Sequence, residues 1–308
     1  QAFSIQPLLV GGNPFDTTSI YNLIHFLERK WGIHYAVGGM TSVVSALERL
    51  MVESGIDIIK GNEIKKIETQ NKIIKTVITD SGEQYCGDIF ISNMDPVFLY
   101  KNLLNNELSL TSKIKANKSE LSMGLFVLYF GTKRKFEDVA HHTIWLGKRY
   151  KELLSDIFDK KTLADDFSLY VHRPTASDPN LAPKNCDCFY VLSPVPNLSA
   201  NIDWEVTRDI YSEKIISALD NSIMPGLKDS IVHSFNMTPE EFKTNYCSEM
   251  GAGFSISPKL TQSAWFRFHN KSESIKNLYL VGAGTHPGAG LPGVLSSAKV
   301  IDELIPNL

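Results

Sequence analysis

A glycine-rich segment near the C-terminus places the strongest constraint on the fold of this 308-residue chain. Residues 278–281 are apolar and typical of a buried strand. The residues that follow include four glycines: Gly282, Gly284, Gly288 and Gly290. Because glycine has no Cβ atom, such a turn lets the backbone approach a bound group closely.

A helix is predicted directly after this turn. Pro292 suits a first helical turn, where its missing N–H is not needed. Apolar residues then recur at helical spacing from Val294 to Ile305. The free N–H groups and the positive dipole end of a helix start favour an electron-rich or anionic group. The turn is therefore a candidate cofactor-binding loop, and the alternative is a tight structural connection.

The spacing of these glycines differs from the dinucleotide-binding pattern G-x-G-x-x-G. Counting from Gly282, the sixth position is Pro287 rather than glycine. The pattern therefore does not by itself decide between a ligand-binding turn and a structural one.

The rest of the chain alternates helical and β patterns, which predicts a mixed α/β fold. Amphipathic helices are predicted over 19–31 and 41–53, a short strand over 56–59, and a β-meander over 62–92. Farther on, helices are predicted over 97–118, 137–160 and 205–223, and strands over 122–131, 167–172 and 188–194.

Bulk composition argues against two classes of protein. The net charge of −3 gives no reason to expect nucleic-acid binding. No stretch of about 18 apolar residues predicts a membrane span. The four cysteines include no C-x-x-C pair that would suggest a metal or redox site.

Candidate catalytic and metal-binding side chains are few. His141 and His142 are adjacent, which on a regular element points them apart, and no third ligand follows at a metal-site spacing. No metal site is therefore predicted. Asp95, before a proline, predicts a turn or a helix start. No Ser/His/Asp or Cys/His arrangement can be argued from spacing, so no catalytic residue is assigned.

Further sequence blocks extend along nearly the whole chain. They are Leu9–Phe15, Gly38–Gly39, Leu125–Gly131, Ala140–Thr143, Asp166–Tyr170, Val191–Pro196 and Leu260–Phe266. Together with the C-terminal segment, these blocks resemble, in the same order, the bacterial-type phytoene desaturases. That family comprises FAD-dependent carotenoid desaturases of the flavin amine oxidase-like superfamily. Trp265 and Phe266 resemble positions that lie near the substrate cavity in this family. The alternative is a core position, which is more common for aromatic side chains.

The resemblance implies a FAD/NAD(P)-binding Rossmann-like domain with an inserted substrate-binding α+β domain. The family opens with a strand, a G-x-G-x-x-G turn and a helix, none of which is in this sequence. We therefore expect an N-terminally truncated chain that lacks the first βαβ unit. The expected parts are a helical substrate-domain segment (1–30), part of the FAD domain (31–97), the substrate-binding domain (98–258) and the C-terminal part of the FAD domain (259–308).

The resemblance also implies FAD as the only organic redox cofactor. The residues expected to contact it are Gly38, Gly39, Ile64, Gly282, Gly284, Thr285, His286, Gly290, Leu291, Pro292, Gly293 and Val294. Ile64 equally suits a buried strand residue, and His286 a turn residue bonded to local backbone. The carboxylate proposed as the family's base lies upstream of Gln1.

The implied function is carotenoid biosynthesis, by desaturation of phytoene toward lycopene with hydride transfer to the flavin. Oxygen or a quinone would accept the electrons. Because carotenes dissolve in membranes, a peripheral protein on the cytoplasmic face of a membrane is expected. The alternatives are a desaturase of another carotene (C30 diapophytoene or a hydroxylated carotene), an amine oxidase-like flavoenzyme, or an inactive fragment unable to hold FAD.

Overall fold

The computed structural model describes residues 4–305 and has a mixed α/β fold. The α-helices are α1 (Ile5–Leu9), α2 (Asn22–Trp31), α3 (Gly39–Glu53), α4 (Pro96–Phe98), α5 (Leu110–Lys118), α6 (Tyr150–Ser155), α7 (Trp204–Asp220), α8 (Leu227–Ser230), α9 (Pro239–Tyr246) and α10 (Leu291–Leu304). The strands are β1 (Ile64–Gln70), β2 (Ile73–Thr79), β3 (Gln84–Cys86), β4 (Phe90–Ser92), β5 (Gly124–Thr132), β6 (His142–Trp145), β7 (Leu169–His172), β8 (Asp187–Val195), β9 (Ile231–Met237) and β10 (Leu278–Leu280).

The chain folds into two compact units, each assembled from separate stretches of sequence. Within residues 4–305, the first unit contains the residues up to 30, residues 59–123 and those from 242 onward. The second unit contains residues 31–58 and 124–241. An insertion of one unit into the sequence of the other is thus observed.

The unit boundaries differ from the predicted domain boundaries. Residues 98–123 and 242–258, expected in the substrate-binding domain, belong to the first unit, as do residues 4–30. Residues 31–58 belong to the second unit. The physical reason lies in the core of the first unit. There, side chains from the 98–123 stretch pack with others that are distant in sequence: Leu99, Tyr100, Leu104, Ala116, Ile256, Leu278 and Leu280.

The first unit contains two small sheets. Strands β1, β2 and β3 form an antiparallel meander, as predicted for 62–92, whereas β4 leaves the meander and pairs in parallel with β10. Leu278 lies opposite Phe90 and Leu280 opposite Ser92. The carboxyl ends of two parallel strands therefore meet at the same edge, beside the glycine-rich loop.

The second unit is built on a five-stranded antiparallel sheet in the order β6-β7-β8-β5-β9. Because side chains alternate along a strand, the sheet has two different faces. One face is apolar and packs with α7 in a single buried cluster that includes Phe126, Leu128, Val191, Tyr211 and Ile215. The other face contains polar and aromatic side chains and is only partly covered.

Most of the predicted elements are confirmed. The helices predicted over 19–31, 41–53 and 205–223 correspond to α2, α3 and α7, and the three strands predicted after residue 121 correspond to β5, β7 and β8. In the described residues, no helix combines the length and apolarity needed to span a membrane.

Three predictions were wrong or incomplete. The helix expected over 137–160 is instead β6 followed by α6, because the first part pairs with β7. The strand expected over 56–59 does not form, and Ile56 and Ile59 are 48% and 56% exposed. No neighbouring strand among residues 4–305 supplies hydrogen bonds to it. The helix over 97–118 is broken between α4 and α5.

Candidate functional site

The glycine-rich loop connects β10 to α10 and folds back onto the start of that helix. The N–H of Gly282 donates to the Ser297 hydroxyl at 2.9 Å. The Thr285 hydroxyl in turn donates to the carbonyl of Gly282 at 2.9 Å. Thr285 and Ser297 are both fully buried. The predicted strand, turn and helix are thus confirmed, and the turn is fixed by buried side-chain bonds.

The glycines of the loop fall into two groups. A Cβ atom would lie 2.4 Å from Asn93 Oδ1 at Gly282, 2.4 Å from Pro96 Cδ at Gly284, and 2.6 Å from the Gly288 carbonyl oxygen at Gly293. At these positions the close approach that requires glycine comes from the protein itself. Gly290 differs, because no atom of residues 4–305 lies within 4 Å of its Cβ position and its φ is +94°. Of these four glycines, Gly290 alone faces open space.

A buried arginine supports the loop from beneath. Arg267 is 1% exposed, and its guanidinium donates to the Ala283 carbonyl through Nη2 at 2.6 Å and Nε at 3.1 Å. Nη2 also donates to the Ile256 carbonyl at 3.2 Å. Burial lowers the pKa of Arg267 to about 10, so it is charged at neutral pH. No local sequence pattern marks Arg267 as part of the site.

Asn270 and His286 fix the other side of the loop. Asn270 Nδ2 donates to the Leu280 carbonyl at 3.1 Å and to the His286 carbonyl at 2.9 Å. The N–H of His286 donates to the Phe268 carbonyl, and the His286–Pro287 peptide is cis. The buried Nδ1 atom of His286 has no hydrogen-bond partner within residues 4–305. The backbone of His286 is therefore bonded locally, whereas its imidazole has an unused polar atom.

The start of α10 offers free donors. Gly290, the residue before the helix, provides no side-chain cap, and the first turn contains no acidic residue. The N–H of Val294 bonds the Gly290 carbonyl at 2.9 Å, but Leu291 and Gly293 have no earlier helical carbonyl to bond. Their amides and the helix dipole together suit an electron-rich group.

A small cavity of about 200 Å³ adjoins the loop in the first unit. Its lining includes Ala283 and Gly284 of the loop and Asp95 and Ser255 beside them. Asp95 caps α4, because Oδ1 accepts from the N–H groups of Val97 at 2.8 Å and Phe98 at 3.1 Å, so the predicted helix start is confirmed. In the part of the chain that the structure describes, Asp95 Oδ2 and Ser255 Oγ are buried without hydrogen-bond partners.

Burial raises the pKa of Asp95 above its ordinary value of 3.8, although the nearby Ser255 hydroxyl and the backbone N–H groups of Phe98 and Val97 act in the opposite direction. The folded chain therefore keeps a proton that the unfolded chain releases. Stability from this group is present below pH 3.8 and is lost as the pH rises through the folded-state pKa.

Asp95→Asn keeps the capping oxygen but cannot ionise. We expect the variant to gain stability relative to the parent chain as the pH rises from about 3.5 to about 7. Urea unfolding midpoints across this range measure the effect. A difference that is constant with pH, or that grows toward acid, would contradict the account.

The remaining residues predicted to contact cofactor belong to other elements of the two units. In the second unit, Gly38 directly precedes α3 and Gly39 begins it, with φ of +84° and +75°, and the N–H of Gly38 donates to Asp178 Oδ2 at 2.8 Å. Ile64 begins β1 in the first unit and is half-buried opposite Thr79. Trp265 and Phe266, which the resemblance placed near a substrate cavity with a core position as the alternative, are 70% and 59% exposed, so the core alternative is wrong.

The second unit contains a separate aromatic cavity of about 630 Å³ on the open face of its sheet. Tyr129 and Phe235 stack there with ring centroids 4.6 Å apart, and Tyr190 meets Tyr170 edge to face at 5.5 Å. Burial raises the pKa of Tyr170 to about 12 and keeps it neutral. With Tyr35 and Met40 in the lining, the cavity suits an uncharged, largely apolar ligand.

The fold is shared with solved structures of oxidoreductases. An oxidoreductase from Methanosarcina mazei is 18% identical and matches with a TM-score of 0.66 over 98% of this chain and 63% of that one. Cyclohexylamine oxidase from Brevibacterium oxydans is 10% identical, with a TM-score of 0.54 over 98% of this chain and 64% of that one. At these identities the likeness concerns the fold alone, and the predicted mixed α/β, Rossmann-like class is confirmed.

Sequence relatives are more specific. The chain is 44% identical to the neurosporene-forming phytoene desaturase of Rhodobacter capsulatus and to the lycopene-forming phytoene desaturase of Pantoea ananas, over 99% of its own length. It spans 60% and 62% of the lengths of these two relatives. No family model matches the chain. The chain is thus homologous to the bacterial-type phytoene desaturases, which confirms the predicted resemblance.

Proposed function

We propose that this chain acts in carotenoid biosynthesis, in an FAD-dependent oxidoreductase that desaturates phytoene toward lycopene. The observation that carries the proposal is the 44% identity, along 99% of the chain, to proteins named phytoene desaturases. One of these relatives is named for neurosporene and the other for lycopene, so the pigment that accumulates will report the number of desaturation steps.

The loop before α10 supports FAD as the cofactor. When bound, FAD supplies the two-electron acceptor that a CH–CH dehydrogenation requires and that side chains do not provide. The free amides of Leu291 and Gly293 suit the electron-rich edge of a flavin ring, and the open space at Gly290 leaves room for it. Arg267 bonds the Ala283 carbonyl and thereby fixes the backbone that leads to these amides.

The aromatic face of the five-stranded sheet supports a carotene as the substrate. A carotene has no charge and no hydrogen-bonding group, so binding depends on apolar contact alone. The stacked rings of Tyr129 and Phe235 provide such contact, and Tyr190 lies on the same face. Binding of a carotene to this face would be weakened by an added charge there.

Phe235→Asp tests this assignment. We expect carotene turnover to fall at least about tenfold, because a carboxylate must be desolvated against hydrocarbon. Ser234→Asp is the matched control, since Ser234 is also exposed on β9 but points to the opposite face. Equal losses of carotene turnover in the two variants would show that turnover depends on the integrity of the edge strand and not on its aromatic face.

We also propose that the protein works peripherally on the cytoplasmic face of a membrane, with oxygen or a quinone as electron acceptor. Carotene substrates partition into lipid, and α2 exposes Leu23, Phe26 and Trp31 at 52%, 57% and 63%. Flotation with liposomes, compared between the parent chain and Phe26→Glu, tests the membrane part of this proposal.

The activity is tested by pigment formation in cells that accumulate phytoene. The chain is expressed alone and joined to the part of the Pantoea ananas relative that it does not span. We expect the joined protein to give a coloured carotene and Gly290→Leu to reduce it strongly. A colourless culture from the joined protein, with the intact relative active in parallel, would contradict the proposal. Oxidation of an amine instead would point to the amine oxidase alternative.

A further inference from the structure

We propose that His141, His142 and His172 form a binding site for a divalent transition-metal ion of the zinc class. One imidazole nitrogen from each residue lies within 4.8 Å of the others, inside the second unit. No metal site was predicted from the sequence, because no third ligand follows the histidine pair at a metal-site spacing. The inference does not depend on the proposed desaturase function.

The pairing of two strands brings the three residues together. His142 on β6 lies directly opposite His172 on β7, so their side chains are on the same face of the sheet. The carbonyl of His141 accepts from the N–H of Arg173 at 2.9 Å. This bond fixes the backbone of His141 beside the cross-strand pair of His142 and His172. The rings of His141 and His142 stack at 4.3 Å rather than pointing apart.

Each imidazole is oriented through its Nδ1 atom. His142 Nδ1 and His172 Nδ1 bond the Tyr170 hydroxyl at 2.6 and 3.2 Å, and His141 Nδ1 bonds the Ser177 hydroxyl. This arrangement leaves the Nε2 atoms for a ligand. His141 Nε2 is buried and has no hydrogen-bond partner within residues 4–305. Metal-bound histidines are commonly held in this way, with the second ring nitrogen bonded to an oxygen.

The surrounding structure is rigid enough to preserve this arrangement. Arg173 is buried and pairs with Asp187 at 2.9 Å, while its Nη1 donates to the Val139 carbonyl at 2.9 Å. Arg173, which follows His172, and Val139, which lies two residues before His141, are thereby linked to Asp187 of β8. Tyr35 packs edge to face on His141 at 4.5 Å and closes one side.

The donor set indicates the kind of ion. Neutral imidazoles bind Zn²⁺, Cu²⁺ and Ni²⁺, whereas Mg²⁺ and Ca²⁺ prefer oxygen ligands. Tetrahedral zinc with bonds of about 2.0–2.1 Å places its nitrogens about 3.3 Å apart, so small ring rotations are required. The bound ion would tie the edge strand β6 to β7.

The test uses the full chain with any affinity tag removed, after dialysis against a chelator. Zn²⁺ is titrated in competition with a chromophoric chelator, and the metal content is measured after gel filtration. We expect one Zn²⁺ per chain and a rise in the unfolding temperature. Co²⁺ in place of Zn²⁺ is expected to give the visible bands of tetrahedral coordination by nitrogen.

His142→Gln and His172→Gln are each expected to weaken Zn²⁺ binding at least about tenfold. His142 is exposed, so its variant should fold even if the His172 variant does not. His233→Gln, on the exposed edge strand β9, is the matched control and should bind like the parent chain. Substoichiometric Zn²⁺ in the parent chain, or equal affinity in the parent and His142→Gln, would overturn the proposal.

Discussion

Arg267→Met is expected to lower the free energy of unfolding by about 3 kcal/mol or more. The substitution keeps a side chain of similar length but removes every donor. The carbonyls of Ala283 and Ile256 would then lose the bonds that the buried guanidinium makes to them. A buried carbonyl without a partner costs about 1–3 kcal/mol. Because one of these carbonyls belongs to the glycine-rich loop, flavin binding should weaken as well.

Two further variants separate this effect from a general loss of charge. Arg267→Lys keeps the charge and one donor nitrogen, and it should lose less stability than Arg267→Met. Arg49→Met, on the exposed surface of α3, should change stability by less than about 0.5 kcal/mol. Urea unfolding of the three variants measures the difference. The same midpoint for Arg267→Met and Arg49→Met would rule out a supporting role for Arg267.

Gly284→Ala is expected to destabilise the chain by about 1–3 kcal/mol and to lower the flavin content of the protein joined to the remainder of its Pantoea ananas relative. The new methyl group would lie 2.4 Å from Pro96 Cδ and 2.6 Å from Ser255 Oγ, both inside the packed base of the loop. Pro96 is held at the start of α4 and cannot rotate away. The loop must therefore shift, and the amides at the start of α10 shift with it.

Gly131→Ala is the matched control for Gly284→Ala. Its Cβ atom would lie 3.8 Å from the nearest atom, Val232 Cγ2, which is an ordinary contact. Alanine also restricts the unfolded chain more than glycine, so stability should be unchanged or slightly higher. Thermal unfolding and flavin absorbance after gel filtration measure both effects. A flavin content in Gly284→Ala as high as in Gly131→Ala would contradict the role given to the loop.

The segment from β10 to α10 could be predicted because its signals are local. An apolar run, a series of glycines and a proline in the first turn each act over a few residues, and the structure has all three elements there. The function of the individual glycines could not be predicted. Gly282 and Gly284 are required by contacts to Asn93 and Pro96, which are remote in sequence, whereas Gly290 faces open space.

Several elements could not be predicted because they depend on pairing between strands that are distant in sequence. The 137–160 segment has a helical pattern, yet its first part forms β6 because β7 provides hydrogen-bonding partners. The same pairing places His172 beside His142, so the third histidine of the cluster could not be found from spacing. Conversely, the strand predicted over 56–59 has no partner strand within residues 4–305 and does not form.

The burial of polar side chains could not be predicted from the sequence either. Arg267 lies between Phe266 and Phe268 in a stretch without regular periodicity, and nothing local shows that its guanidinium is fully buried. Asp95 was interpreted correctly as a helix start, since the Asp-Pro pair is a local signal. Its burial, which raises its pKa, depends on the glycine-rich loop and other residues remote in sequence, which only the folded chain brings near.

The account depends most on the loop before α10 holding the flavin. A crystal structure of the chain, joined to the remainder of its Pantoea ananas relative and loaded with FAD, tests this directly. We predict that the amides of Leu291 or Gly293 donate hydrogen bonds to the pyrimidine edge of the flavin ring. A flavin bound elsewhere, with these amides bonded only to water, would contradict the account.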